Sequence, residues 1–380
     1  MMTLCAAALL AVLVGLGALE RQRRDRAFAM VPIRIHVNGT RGKSTVTRLV
    51  AAALREAGVI TLAKTTGTEA RLILPDGAEE PVRRRSSPSI REQLWVLRRA
   101  TRIGARALVV ECMAIDPDLQ RVSEHEMMRS TIGVITNVRH DHGDAMGTTI
   151  AEVATALGGT LPRRGVAVIG DPAGAGVLEQ IAADNGDRVI RAWHTAPAHA
   201  FTDEPGWMRA NVSTAIAVTR QLGIADEVAR RGMRRARPDP GAATGWPAHV
   251  GARELPVIDA TAANDPDSLA TILGPRTTPH LFVFHHRADR PFRLRQFADA
   301  APWSHPDDVV VLTGDRPDWL TWRRVKRGLG SQRGSVVPAR RLADAVRRTI
   351  TARPATSAIV CCGNTKGFNR DRFRTTVGEA

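Results

Sequence analysis

The chain has 380 residues, enough for two domains with their own cores, and its 43% apolar content belongs to a folded protein. Fifty-four Lys and Arg against 38 Asp and Glu give a formal charge of +16, which invites nucleic acid, an anionic membrane surface or acidic substrates as partners. Cys5, Cys112, Cys361 and Cys362 form neither a disulfide framework nor a C-x-x-C pair, which excludes a disulfide-stapled scaffold and favours a reducing, cytosolic setting.

Residues 3–19, "TLCAAALLAVLVGLGAL", carry no charge and are followed by "ERQRRDR". As a helix this run spans roughly 25 Å, just short of a hydrocarbon core. A cleaved signal needs positive charge before its apolar run, and here the arginines come after it. By the positive-inside tendency the N-terminus faces out. The expectation is a single-pass transmembrane helix over residues 1–25, which puts the protein at the cell membrane with its body on the cytoplasmic side.

"IRIHV" reads as a strand, with Ile33, Ile35 and Val37 on one face. It leads through a glycine turn into "STVTRLVAAALREAG", where Val46, Leu49, Val50, Ala53 and Leu54 form an apolar stripe and Gly58 marks the stop. "VITLA" returns as a strand. A helix in "SPSIREQLWVLRRATRIG" is predicted to start with Ser87 as cap and Pro88 at its first position. "ARALVVECM", "STIGVITNV", "GVAVIG" and "RVIRAW" are buried-strand runs, and the helix "MRANVSTAIAVTRQLG" closes the unit. Strands alternating with helices predict a parallel sheet covered on both faces.

"RRARPDPGAATGWPAHVG" breaks this pattern with prolines and glycines. Beyond it "LPVID", "HLFVFHH", "DVVVLTG" and "SAIVCCG" look like strands ending in polar loops, and the adjacent Cys361 and Cys362 are predicted as buried thiols. The expected organisation is therefore an anchor (1–25), a phosphate-loop domain (26–235), a linker (236–249) and a smaller Rossmann-like α/β domain (250–380).

The chemistry concentrates at the strand–turn–helix "HVNGTRGKST". Amides at a helix start point at phosphate oxygens, and the helix dipole favours the anion. Only four basic residues are lysines (Lys43, Lys64, Lys326 and Lys366), so arginine supplies the other fifty. A lysine kept inside this loop marks a place that needs a compact ammonium. Lys43 is predicted to reach the terminal phosphates and the Ser44 hydroxyl to sit on Mg²⁺. Glu111 ends an apolar strand, where α/β sheets present catalytic groups, and a carboxylate there can hold magnesium beside a triphosphate. "TNVRHDHGDAMG" crowds His140, Asp141, His142 and Asp144 into one loop. A dinuclear zinc reading of H-x-H-x-D is disfavoured, because that motif wants histidine after the aspartate and Ala145 follows.

The compact G-x-x-G-K-[ST] loop, the strand-end glutamate and an N-x-x-x-D-H-x-D loop resemble the Mur ligase superfamily. Within it, "HVNGTRGKSTVTRL", "VVECMA", "ITNVRHDHGDAMG", "AANDPDS" and "RADRP", in this order, look like the CapB/PgsB family of poly-γ-glutamate synthase subunits. The resemblance implies a Mur-ligase-like parallel-sheet domain plus a smaller C-terminal domain. It implies an ATP- and Mg²⁺-dependent ligase that activates a glutamate γ-carboxylate as an acyl phosphate and joins it to another glutamate's amine. Asn38, Gly39, Thr40, Arg41, Gly42, Lys43, Ser44, Thr45 and Asn137 would surround the ATP phosphates. Ser44, Glu111 and His142 would serve magnesium, with Lys43, Glu111 and His142 as the catalytic set. Asp259 would face the ribose, Asn264 the nucleotide, and Arg287 and Arg290 phosphate or glutamate carboxylates. The implied partners are the growing polymer and other membrane subunits of a synthase complex.

The related ligases carry a modified lysine that helps hold magnesium, and "AEVATALGGTLPRRG" has none where it is expected. Lys64, in "AKTTGTEAR", has no assigned role. The alternatives are a folylpolyglutamate- or peptidoglycan-precursor-type ligase, and a nucleic-acid-binding ATPase. The last finds little support, since aromatics are only 4% and no aromatic-basic stacking pattern is present. No specific nucleic-acid partner is expected.

Overall fold

The structure is a computed structural model that describes residues 2–67, 69–84, 87–141, 143–194, 206–239, 243–263, 265–300, 305–329, 334–365 and 367–378. The chain divides into two compact units, residues 1–202 with 209–238, and 203–208 with 239–380.

The first unit opens with helix α1 (Met2–Met30), followed by strand β1 (Ile33–Asn38) and helix α2 (Lys43–Glu56). Strands β2 (Thr61–Thr65), β3 (Arg71–Ile73) and β4 (Glu79–Pro81) precede α3 (Glu92–Arg102) and β5 (Ala107–Glu111). Then come α4 (Pro117–Val122), which runs into a π-helical turn at Ser123–Met128, and β6 (Ile132–Ile135). α5 (Gly143–Met146), α6 (Ile150–Gly158), β7 (Val166–Ile169), α7 (Ala175–Asn185) and β8 (Arg188–Arg191) follow. Helices α8 (Gly206–Arg220) and α9 (Asp226–Arg234) complete the elements.

The eight strands lie in the order β4-β3-β2-β5-β1-β6-β7-β8, parallel except where β3 meets β2 and β4. β1 is the switch point: the chain leaves it toward β2 on one side and later returns as β6 on the other. Ligands of open α/β sheets bind beyond the carboxyl ends of the strands at such a point. The register sets Glu111 beside Val37 and Ile135 beside Asn38, so β1, β5 and β6 end together. The stripe read from the sequence holds. Val46, Leu49, Val50, Ala53 and Leu54 of α2 are all buried, the larger ones worth about 1.5–3 kcal/mol each.

The second unit carries β9 (Thr244–Val250), β10 (Arg253–Asp259), α10 (Pro266–Leu273), β11 (His280–His286), α11 (Pro291–Ala300), β12 (Val309–Gly314) and α12 (Trp319–Leu329). It ends with β13 (Gly334–Val336), α13 (Leu342–Ala352), β14 (Ala358–Gly363) and α14 (Arg370–Gly378). Its sheet runs β13-β12-β11-β14-β10-β9, parallel but for β9 against β10. Apolar clusters cover both faces, and Cys361 and Cys362 are buried free thiols within them.

Four expectations need correction. Among the described residues no helix is long and apolar enough to cross a membrane, so the expected transmembrane anchor finds no support there. α1 continues unbroken from its uncharged first part into charged residues. α3 starts at Glu92, after a tight turn in which the amides of Glu92, Gln93 and Leu94 each bond to the carbonyl three residues back. Ser87 and Pro88 therefore lie outside it. The expected linker contains most of β9, because residues 244–250 find a full antiparallel partner in β10. The β3–β4 hairpin was not expected at all, although Pro75-Asp76-Gly77 is a turn signal: the Ala78 amide donates to Asp76 Oδ1 at 2.9 Å.

Candidate active site

The turn from β1 into α2 is built for close backbone approach. Gly39 has φ +128°, and a Cβ there would lie 2.8 Å from the Thr136 nitrogen and collide with that residue's hydroxyl. Gly42 has φ +82° and packs against the Asn211 side chain, so it too has no room for a Cβ. The Thr40 amide donates to Asn137 O at 3.1 Å, and the Arg41 amide to Asn137 Oδ1 at 2.9 Å. Asn137 Nδ2 donates back to Arg41 O at 3.0 Å, joined there by the Thr136 hydroxyl at 2.5 Å. The loop is thus clamped to the end of β6. Gly42, the N-cap of α2, has no side chain, so the first amides of the helix have no side-chain cap. Such amides receive an anion.

Lys43 Nζ donates to Gly39 O at 2.6 Å and to Thr40 O at 3.3 Å, which holds the ammonium against the loop. Burial pushes its pKa down; Glu111 opposes the shift. One turn of helix begins here, and Ser44 Oγ donates to Glu111 Oε2 at 2.8 Å. The Thr66 amide donates to the same oxygen at 2.7 Å. A hydroxyl and a buried carboxylate, brought together from α2 and β5, form a hard oxygen pair at the head of the helix. Thr66 was not expected here; its only signal was the "TTGT" turn after β2.

Other predicted residues are used differently. Asn38 is buried, and its amide donates to Gln120 Oε1 at 2.7 Å and Thr160 Oγ1 at 3.1 Å, so its side chain supports the loop from below and is not free for a nucleotide. Asn137, as shown, is occupied in clamping the loop. Arg41 Nη1 pairs with Asp141 Oδ2 at 2.6 Å, and the Thr40 hydroxyl is shared with the Arg139 backbone. Thr45 lies in the first turn of α2. In the second unit Asp259 is fully buried, paired through Oδ2 with Arg370 Nε at 2.7 Å and through Oδ1 with the Thr261 hydroxyl at 2.7 Å. Its charge is thus balanced inside the domain by Arg370. Arg287 follows β11 and pairs with Asp289 at 2.6 Å. His142 and Asn264 lie outside the described residues.

Two buried ion pairs flank the loop. His36 Nδ1 meets Glu124 Oε2 at 2.8 Å with both side chains sealed from solvent, and the amide and hydroxyl of Ser130 donate to Glu124 Oε1. Burial alone would push the imidazole down, but Cys112 and Glu124 together outweigh it and raise its pKa to about 9. Lys64, wholly buried in β2, meets Glu92 Oε2 at 2.9 Å, and burial lowers its pKa.

Two family descriptions match the chain: the Mur ligase middle domain over residues 37–212, and the C-terminal domain of poly-gamma-glutamate synthase CapB over residues 247–375. The PGA synthase CapB of Bacillus subtilis (strain 168) is 38% identical over 313 residues, 80% of each chain. The chain belongs to the CapB family. Another relative, the capsule biosynthesis protein CapB of Bacillus anthracis, is 36% identical over 78% of this chain and 66% of its own. Among solved structures, folylpolyglutamate synthase of Mycobacterium tuberculosis, complexed with ADP and AMPPCP, superposes with a TM-score of 0.66 at 17% identity, covering 93% of this chain and 96% of that one. The bifunctional folylpolyglutamate/dihydrofolate synthase of Yersinia pestis gives 0.64 at 17% identity, with 93% and 91% covered. These place the CapB-family chain in the Mur-ligase-like α/β fold.

The donor set at the head of α2 suits magnesium. Mg²⁺ takes one or two protein oxygens and fills its remaining positions with phosphate and water. Ser44 Oγ and Glu111 Oε2 supply such a pair, and among the described residues no group of three His, Cys, Asp or Glu competes as a denser metal site.

Proposed function

We propose that the chain is an ATP-dependent ligase of poly-γ-glutamate synthesis, forming amide bonds between glutamates. The observation that carries this is the joining of Ser44 and Glu111, at 2.8 Å, at the uncapped head of α2 beside Lys43. The amides of Lys43, Ser44 and Thr45 and the Lys43 ammonium bind the phosphates of ATP, while Gly39 and Gly42 let the backbone approach them. Ser44 and Glu111 would hold Mg²⁺, which when bound neutralises charge developing on the transferred phosphoryl oxygens.

The γ-carboxylate of one glutamate attacks the terminal phosphorus, releasing ADP and leaving an acyl phosphate. The amine of a second glutamate attacks that acyl carbon, and phosphate leaves with the bonding pair of the C–O bond as the amide forms and the amine loses a proton. Lys43 acts on charge at the phosphoryl oxygens, and the clamp from Asn137 and Thr136 keeps the loop in place during transfer. Glutamate, the growing polymer and membrane subunits of a synthase complex are the partners. The location that fits them is the cytoplasmic face of the cell membrane. Two features support it: the apolar side chains of Leu9, Leu10, Val14 and Leu16 are exposed along α1, and a basic run follows them.

The test is ADP release in the presence of glutamate and Mg²⁺, with hydroxylamine added to trap the acyl phosphate. Glutamate-dependent ADP release and a hydroxamate are expected, both reduced at least a hundredfold in Lys43→Ala. ADP release that ignores glutamate, or a Lys43→Ala variant as fast as the wild type, would overturn the assignment.

A further inference from the structure

We propose that a cavity on the β3–β4 side of the larger sheet is a subsite for the acidic product, a run of γ-linked glutamates with its free α-carboxylates. The cavity measures about 890 Å³ and lies between the β3–β4 hairpin and the start of α3. Among the described residues, four arginines line it (Arg83, Arg84, Arg91 and Arg99) with only two carboxylates, Glu80 and Glu92. Arg84 Nε is held by Glu92 Oε1 at 2.7 Å and Arg99 Nη2 by Glu80 Oε2 at 3.0 Å. The side chains of Arg83 and Arg91 are exposed and pair with no carboxylate among the described residues. Two uncompensated guanidinium groups facing one cavity attract a ligand with more than one carboxylate, and guanidinium matches the carboxylate fork. Trp95, 42% exposed on the same wall, offers an apolar face for the methylene stretches between those carboxylates.

The position ties this cavity to the ligase site. Its wall carboxylate, Glu92, is also the partner of the buried Lys64 ammonium, at 2.9 Å. Lys64 stands in β2, and two residues further on the Thr66 amide holds Glu111 Oε2 at 2.7 Å. One strand end therefore separates the arginine-lined wall from the Ser44–Glu111 pair. The inference rests on the ligase reading for the identity of the polymer, but not for the pocket's charge.

The experiment is binding of a fluorescent, short γ-linked oligoglutamate to the full chain without ATP, followed by anisotropy. The wild type, Arg83→Ala/Arg91→Ala and Trp95→Ala are compared, with a single-stranded oligonucleotide of matched charge as competitor. Two lost charge pairs predict about tenfold weaker binding by the double variant. ATP affinity, thermal stability and the kcat for free glutamate should stay at the wild-type level, because both arginines lie on the surface. Wild-type affinity should also fall with added salt. Equal affinity of the double variant, no binding by the wild type, or tighter binding of the oligonucleotide with the same arginine dependence would each overturn the proposal. Failure of the ligase reading would show separately, as ADP release indifferent to glutamate in the wild type.

Discussion

At Gly39 a methyl group would press into the end of β6, 2.8 Å from the Thr136 nitrogen and 3.1 Å from that of Asn137. Neither backbone atom can retreat, since the Thr136 and Asn137 side chains are themselves bonded to Arg41 O. A left-handed φ of +128° adds a second cost for any residue with a Cβ. Gly39→Ala is therefore expected to lose ATP binding altogether and about 1–3 kcal/mol of stability, read by calorimetry and by thermal unfolding. Retained ATP affinity in that variant would show that the loop does not approach the phosphates through its backbone. Lys43 differs in kind. Its ammonium is held by two loop carbonyls, so its removal costs charge at the site and leaves the backbone path unchanged.

The elements around the loop divide by how local their signals are. β1, the glycine turn and α2 were legible because strand pattern, turn residues and helical stripe all lie within one short segment. Glu111 was legible because its strand end was read together with the phosphate loop on a neighbouring strand. The β3–β4 hairpin was not, since three-residue strands carry no period, and the start of α3 was misplaced because Ser87-Pro88 gives a cap signal that the tertiary turn overrides. Asn38 and Asp259 were assigned to ligand by motif alone, and their internal partners, Gln120 and Arg370, were not legible because they lie far along the chain. His36 was read as one more strand residue, yet β1 carries a buried His36–Glu124 pair behind the loop. Its pKa is raised from about 6.5 to about 9, so the stability it gives is complete below pH 6.5 and is lost as pH rises through 9. The thermal advantage of the wild type over Glu124→Gln is expected to be greatest at pH 6 and to fade by pH 10. A pH-independent difference across that range would remove the ion pair from the account.

At the scale of the whole molecule, α1 joins two kinds of surface in one helix. Leu9, Leu10, Val12, Leu13, Val14 and Leu16 are exposed by more than half. Phe28 and Val31, at the other end, are buried in the cluster that holds Val96, Leu97 and Leu108. Arg34 and Arg129 stack over the Phe28 ring at 5.2 and 5.0 Å, and Arg34 Nη1 donates to the carbonyls of Phe28 and Val31. Among the described side chains of α1, only those near its C-terminal end pack into the folded body. A chain starting at Arg21 is therefore expected to unfold at the wild-type temperature, because residues 9–20 are exposed, and, on the membrane location proposed above, to leave the membrane fraction. A chain starting at Pro32 loses Phe28 and Val31 and should be destabilised by about 3–5 kcal/mol, as when a buried aromatic is cut from a core. Thermal unfolding and sedimentation with membranes separate the two. If the shorter cut at Arg21 already costs several kcal/mol, the exposed apolar run packs on the body, and the surface left for a membrane or a partner subunit is not there.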